Sequence, residues 1–464
     1  MDETAGDPQL RARSSVPTAI REDTADRRQN GAGGRAVGAG MGMGGGMGGG
    51  GGAAPMSLRN LRTFSSFRNP VYRLFYASML GQMGAMNMEM MARGLLVYRL
   101  TGSAFALGLI ALAQSVPMLL FSLFGGVLAD RVQKKHVLMV GQGVSGVVVL
   151  GVAIALSTGF LREGYAGALW VLLGASVIKG TAQGLMMPSR QALLGEVVSE
   201  EQLMNAVALN NFGQNMFRLL APALAGFLIA FFGFASTYYT MTAMYAIAVF
   251  FVVLMPRTGT MSIRGRGALG EIKDGIRYVR HDALIGMILI VTLLTVLLSM
   301  PYMTLLPVFS EKVLDVGASG LGILISVSGV GALIGSIILA SLPNKRRGAM
   351  LMVGSLILGV ALVGFAFSSS WYLSLALIVF VGLGQTARMT LSNTLLMYYV
   401  PDQYRGRVMS IYMMEFGLTS FSVFFAALVA DAVGVQWSVG GLAMVLVILS
   451  IVVLLFVPRL RRLD

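Results

Sequence analysis

Between residues 71 and 457 the sequence carries twelve apolar runs of at least about twenty residues. Each is long enough to cross ~30 Å of hydrocarbon as a helix. They fall near 71–98, 104–127, 137–158, 166–187, 205–232 and 236–255, then near 284–308, 317–341, 349–368, 371–399, 408–430 and 436–457. Strands of a membrane barrel would be ~10 residues long and would alternate in polarity; these runs do neither. Only 12% of the residues are charged and 56% are hydrophobic, against about 25% charged in a soluble domain. The predicted fold class is therefore an all-α membrane protein with twelve transmembrane helices, whose solvent is the lipid bilayer.

The remaining composition narrows the chemistry. Cysteine is absent, which excludes disulfides and thiolate chemistry. His136 and His281 fall in expected loops or at their edges, so no metal site or cofactor is expected. No P-loop occurs, so ATP is not the direct energy source, and no nucleophile–base–orienter set suggests an enzyme. The net charge of +14 raises the question of nucleic acid, and the positions of the charges answer it. With a cytoplasmic N-terminus, inner loops and tails hold twenty-two basic residues outside the leader, and outer loops hold only Arg99, Arg162 and Lys312. That is the positive-inside asymmetry. It predicts both termini in the cytoplasm of an inner-membrane protein and no nucleic-acid partner.

Residues 1–55 are polar and then glycine-rich, a composition that reads as a disordered tail. They hold no apolar core segment, so no cleavable signal sequence is expected. Residues 56–70 intersperse Leu and Phe with Arg as an interfacial segment does. Next come an N-terminal six-helix bundle at 71–255, a cytoplasmic linker at 256–283 and a C-terminal bundle at 284–457. Residues 458–464 form a basic cytoplasmic tail. In the linker, Ile272, Ile276 and Val279 alternate with Lys273, Arg277 and Arg280, the spacing of an amphipathic helix on the membrane surface. The halves echo one another at an offset of 202: "GTAQGLMMPSRQALLGEVVSEEQ" from Gly180 and "GLGQTARMTLSNTLLMYYVPDQY" from Gly382. Two pseudo-symmetric six-helix bundles are a known transporter plan.

The loop expected after span two reads "GGVLADRVQKKHVL". Gly126, Leu128, Ala129, Asp130, Arg131, Lys134 and Lys135 resemble the loop motif of the major facilitator superfamily, with Gln133 in place of a usual glycine. Glycine lets helices approach closely, and a carboxylate there can sit against a helix N-terminus. The resemblance implies that Asp130 docks on the start of span eleven, near 405–408, as a gate. "LLVYRLTGSAFALGLIALAQSVP" from Leu95, "MPSRQALL" at 187–194, "RLLAPALAG" at 218–226 and "RGRVMS" at 405–410 resemble the superfamily's macrolide-efflux and siderophore-export branch. Ala221, Pro222 and Gly226 stand where the superfamily's exporters carry a glycine-rich motif in span five, although two of those glycines are alanine here.

Charges inside spans are expensive and functional by default, at ~2.5 kcal/mol or more each on insertion scales. They are Glu89, Arg93, Lys179, Arg218, Arg388 and Glu415. Two acids and four bases cannot all pair, so some face a wet cavity or hold an anionic group. Glu89 and Arg93 are four apart and share a helix face. Low hydration favours a protonated carboxyl and a nearby arginine opposes it, so the pair reads either as a proton switch or as a fixed pin. Glu415 and Arg388 form a second candidate pair. Gln214, Asn215 and Arg218 make a polar patch in span five. Lys179, Gln183 and Gln385 join them as expected lining of a central cavity, although the superfamily places its basic residue one position away from Lys179. Thirty-two methionines, unaccompanied by Cys or His, suit an adaptable apolar surface better than a copper site. The expectation is a monomeric secondary transporter exporting an amphipathic small molecule, a drug or siderophore, in exchange for protons. An importer on the same fold and a non-transporting scaffold or sensor are the alternatives.

Overall fold

The computed structural model describes residues 66–164, 167–256, 276–343 and 345–463. The expected leader, most of the interfacial segment and most of the linker lie outside these residues. The helices are α1 (Pro70–Thr101), α2 (Ala104–Arg131), α3 (Lys134–Ser157), α4 (Ala168–Val197), α5 (Glu200–Leu254), α6 (Ala283–Ser299) and α7 (Pro301–Val308). They continue as α8 (Gly317–Ser341), α9 (Arg347–Phe367), α10 (Trp371–Tyr399), α11 (Asp402–Val433), α12 (Val435–Phe456) and the short α13 (Pro458–Arg461). No strand occurs among the described residues.

Ten of these helical segments are long and apolar enough to cross a membrane. The difference from the expected twelve has two physical causes. α1 has the length, at 32 residues, but Gln82, Asn87, Glu89 and Arg93 make it too polar to qualify. α5 counts once although its 55 residues would reach about 80 Å at ~1.5 Å per residue, more than two bilayer cores. It is broken at Gly233, whose φ of 80° and ψ of 174° stop the helix, a conformation open to glycine alone at little cost. The arms 200–232 and 234–254 are the expected fifth and sixth spans. α11 and α12 turn at Gly434 in a similar conformation, φ 94° and ψ 151°. The seventh span is α6 and α7 in series, closed by a π-turn at Phe309–Val313.

The echo between the halves has a packing counterpart. A Cβ on Gly180 would run into the backbone carbonyl of Gln114 on α2, and one on Gly382 into that of Ser328 on α8. The same position in each half thus carries a close backbone approach of two helices. Backbone cannot yield as a side-chain tip can. Gly180→Ala and Gly382→Ala are therefore each expected to lower the thermal midpoint by several degrees, overpacking being worth about 1–3 kcal/mol. Gly126 is the internal control. A Cβ there would meet nothing within 4 Å, so Gly126→Ala should leave the midpoint unchanged or slightly raised. Scanning fluorimetry of the three purified variants checks this.

The motif after span two takes a different form from the tight turn expected. α2 stays helical through Arg131, and only Val132 and Gln133 separate it from α3. Close approach falls on Gly125, not Gly126: a Cβ at 125 would lie 2.7 Å from the Gly184 carbonyl. Lys134 pairs with Glu196 at the end of α4. Lys135 donates to the carbonyls of Val253, at 2.8 Å, and Met255. These two lysines tie the start of α3 to the ends of α4 and α5, while Arg131 is exposed. The side chain of Asp130, the expected gate, lies outside the described residues.

Between the halves, α2 packs on α11 and α5 on α8. Small residues carry both seams. A Cβ on Gly108 would sit 2.7 Å from that of Ala427, and one on Gly226 would lie 2.5 Å from the Ala318 carbonyl. Ser115 and Ser420 are 2.6 Å apart across the α2–α11 seam. Ala221 is buried, and the Pro222 carbonyl faces Gly322. The span-five small-residue motif is therefore a packing surface toward the other half. At the end bearing the α1–α2 loop, Arg99 pairs with Glu311 at 2.8 Å. Beside it, Asp431 at the end of α11 accepts from the Ala104 N–H at 2.7 Å, the Phe105 N–H at 3.1 Å and the Ser103 hydroxyl at 2.6 Å.

The described part of the linker is helical over 276–281, with Tyr278 stacked on Tyr404 at 4.1 Å. The chain end is docked as well. Leu460 is buried, and the Leu463 carbonyl accepts from the Gly348 N–H at 3.1 Å.

Candidate functional site

A cavity of about 350 Å³ lies at the centre, walled by α1 to α5 from one half and by α7, Met300 and α11 from the other. Glu89, Arg93 and Lys179 are its charged lining residues. Five methionines, at positions 86, 90, 186, 300 and 303, supply much of its apolar wall. Methionine is unbranched and polarisable, so such a wall adapts to apolar bodies of different shape. Met86 and Met90 are the members of the dense α1 methionine run that face it. Met83, Met88 and Met91 are buried in core contacts instead.

Glutamine amides hold this wall in place. Gln82 Nε2 lies 3.4 Å from Met186 Sδ, Gln183 Nε2 lies 3.6 Å from Met86 Sδ, and Gln385 Nε2 lies 3.5 Å from Met300 Sδ. Gln142 in turn donates to Gln82 Oε1 at 3.2 Å. An amide–thioether bond is weak, so each methionine can be displaced by a ligand at small penalty.

Glu89 is ion-paired with Lys179, not with Arg93. Both partners are nearly fully buried, at 6% and 7% exposure, where an unpaired charge is expensive and a paired one survives. Tyr245 completes the group, its hydroxyl 3.4 Å and its ring centroid 5.0 Å from Lys179 Nζ. The spacing of Lys179 and Gln183 explains the placement. Four residues apart, they share a face of α4, and both line the cavity. Arg93 is half-buried. It lines the cavity and also a small annex of about 100 Å³ shared with Gly94, Thr304 and Pro307.

The second acid occupies a separate site. Glu415 is buried, and its Oε1 is 2.8 Å from the Thr292 hydroxyl. Arg388 is buried on α10, and among the described residues no ion pair joins it to Glu415. Arg388 Nε has no hydrogen-bond partner among the described residues, and neither do Ser392 Oγ and Gln385 Oε1 nearby in sequence. Neither Glu415 nor Arg388 lines the central cavity.

Of the cavity residues expected from sequence, Lys179 and Gln183 line it, and Gln385 reaches it through Met300. The span-five patch does not: Asn215 and Arg218 are exposed and Gln214 half-buried, all outside the lining. α5 is oriented by its small residues. Gly213 lies against Leu80 and Tyr76 of α1, and Gly226 lies against α8, which turns the 214–215–218 face elsewhere. Sequence reasoning missed Tyr245, Gln114 and Thr304, because a tyrosine, glutamine or threonine in a span is not rare enough to signal a site.

A family model described as transmembrane secretion effector matches residues 61–464. The chain is 26% identical to the staphyloferrin A transporter of Staphylococcus aureus over 72% of its own length and 83% of that protein's. It is 24% identical to the multidrug efflux pump Tap of Mycolicibacterium fortuitum, over 86% and 98% of the two chains. In fold, it is similar to the nucleoside transporter NupG, with a TM-score of 0.67 at 12% identity over 84% of this chain and 99% of that one.

Proposed function

Because this chain belongs to the transmembrane secretion effector family of the major facilitator superfamily, we propose that it is a proton-coupled exporter of amphipathic small molecules working by alternating access. The observation that carries this reading is the buried Glu89–Lys179 pair in the wall of a cavity that both halves enclose. A carboxylate held by an ammonium in a place of low hydration has two stable arrangements: paired and ionised, or separated and protonated. Rocking of the halves changes hydration at the cavity and so selects between them. Glu415, hydrogen-bonded to Thr292 and within electrostatic reach of Arg388 without an ion pair, is the second candidate for protonation in this scheme. The seam contacts named above lie between mid-span and the α1–α2 loop end. With both termini cytoplasmic and the molecule acting as a monomer in the inner membrane, that arrangement is the state closed to the outside.

Inside-out vesicles test the direction. With the purified protein reconstituted and the lumen acidified, the fluorescent acid N-dansyl-phenylalanine, which pH partition alone would not trap there, is expected to accumulate in the lumen, and nigericin to abolish the accumulation. Movement of the dye in the opposite sense under the same gradient would identify an importer. An unchanged distribution together with absent counterflow would identify a non-transporting membrane protein.

A further inference from the structure

With Lys179 engaged by Glu89, the charge on the cavity wall is unbalanced. Three ionisable side chains line it, and the charges of the two that pair cancel. The third, Arg93, has no carboxylate within ion-pair distance among the described residues. Arg93 also borders a narrow cleft inside its own half, beside Val149, Leu172 and Tyr238. The arginine stands at the junction of the main cavity and the annex, both of which share Met90, Arg93, Met303 and Thr304. The annex is too small for more than a compact group. Its walls are apolar apart from Arg93 and the Thr304 hydroxyl, and Gly94 leaves its floor against Pro307 without a side chain. A guanidinium presents a planar fork of donors matched to a planar oxyanion, which an ammonium does not.

We infer that Arg93 and the annex form a subsite for a carboxylate, so that the cargo is an acidic amphiphile: one carboxylate on Arg93, the apolar body against the methionine wall. This rests on the reading of the central cavity as the transport site and narrows the cargo that site takes. It also gives Arg93 a role distinct from coupling. Substrate neutralises Arg93 when it binds, while Glu89 and Lys179 neutralise each other in its absence.

The test uses a matched pair of fluorescent probes, N-dansyl-phenylalanine and N-dansyl-phenylalaninamide, identical except that the carboxylate becomes a carboxamide. Binding is titrated on the full chain in nanodiscs. The wild-type protein is expected to bind the acid at least ten-fold more tightly than the amide. Arg93→Gln should bring the two within about two-fold by weakening the acid alone. Arg93→Lys keeps the charge without the fork and should retain an intermediate preference, which also serves if the glutamine variant does not fold. Arg218→Gln, a basic residue in a span but outside the lining, should leave the preference intact. Equal binding of both probes by the wild-type protein, binding of neither, or an undiminished preference in Arg93→Gln would each overturn the subsite. Because binding needs no gradient, a failure of pH-driven accumulation with the preference intact would count against coupled export and leave the subsite standing.

Discussion

Glu89→Gln and Lys179→Met are each expected to cut pH-gradient-driven dye accumulation below a tenth of the wild-type rate and to destabilise the fold, whereas the double variant should recover stability but not gradient-driven accumulation. Each single change leaves one charge buried without its partner, a loss of about 3–5 kcal/mol. The double change removes both charges, and a neutral pair of similar volume in such a place is often no less stable than the ion pair. Thermal midpoints should therefore fall in the two single variants and return in the double one. If Glu89 is the proton carrier, the recovered fold brings no recovered coupling. A double variant with gradient-driven transport intact would remove Glu89 from the scheme and leave the pair as a pin between α1 and α4. Facilitated counterflow of the same dye separates the cases further. It needs cavity and rocking but no proton, so the double variant should retain it.

The spans were legible because runs of about twenty mostly apolar residues have few other uses, and the division into two similar halves was legible from Gly180 and Gly382. What sequence reasoning lost was rotation and register. It read Glu89 against Arg93 because an i, i+4 pair is visible within one helix. The true partner, Lys179, lies ninety residues away on α4, and its meeting with Glu89 depends on how α1 and α4 are turned. Glu415 shows the same limit. Arg388 is within electrostatic reach of it without forming an ion pair, and the hydrogen-bonded neighbour is the hydroxyl of Thr292, one of two threonines in α6. The motif "GGVLADR" looked like a turn because its glycines suggested one, but nothing in it breaks a helix, and α2 runs through it. Gly233 was hard to read for the opposite reason: one residue ends a helix that is apolar on both sides of it.

Asp431→Ala is expected to open the closed end of the molecule by more than ten-fold in labelling rate. In the structure this carboxylate accepts from two backbone N–H groups and the Ser103 hydroxyl at the start of α2. They are donors that no turn of α2 can satisfy, and a carboxylate there also meets the positive end of the helix. Asp431 is exposed, which screens its charge, so its three hydrogen bonds stand near the neutral value of about 0.5–1.5 kcal/mol each, and about 1.4 kcal/mol in total is a ten-fold change in an equilibrium between conformers. Arg99–Glu311 spans the same end as one ion pair, also partly exposed, at 37% and 24%, against three hydrogen bonds at Asp431. Exposed pairs contribute about 0–1 kcal/mol, so Arg99→Gln should shift the equilibrium several-fold less than Asp431→Ala. The chain lacks cysteine, so a single Thr304→Cys in the cavity wall reports access with no background. A membrane-impermeant maleimide added from the α1–α2 loop side of oriented vesicles should react slowly with that protein and much faster once Asp431 is also changed. Asp431→Asn keeps an acceptor oxygen while losing the charge and should fall between the two. An unchanged rate in Asp431→Ala would mean that the α2–α11 and α5–α8 seams alone hold this end shut through their small residues. Gly108→Ala and Gly226→Ala would then be the substitutions that open it.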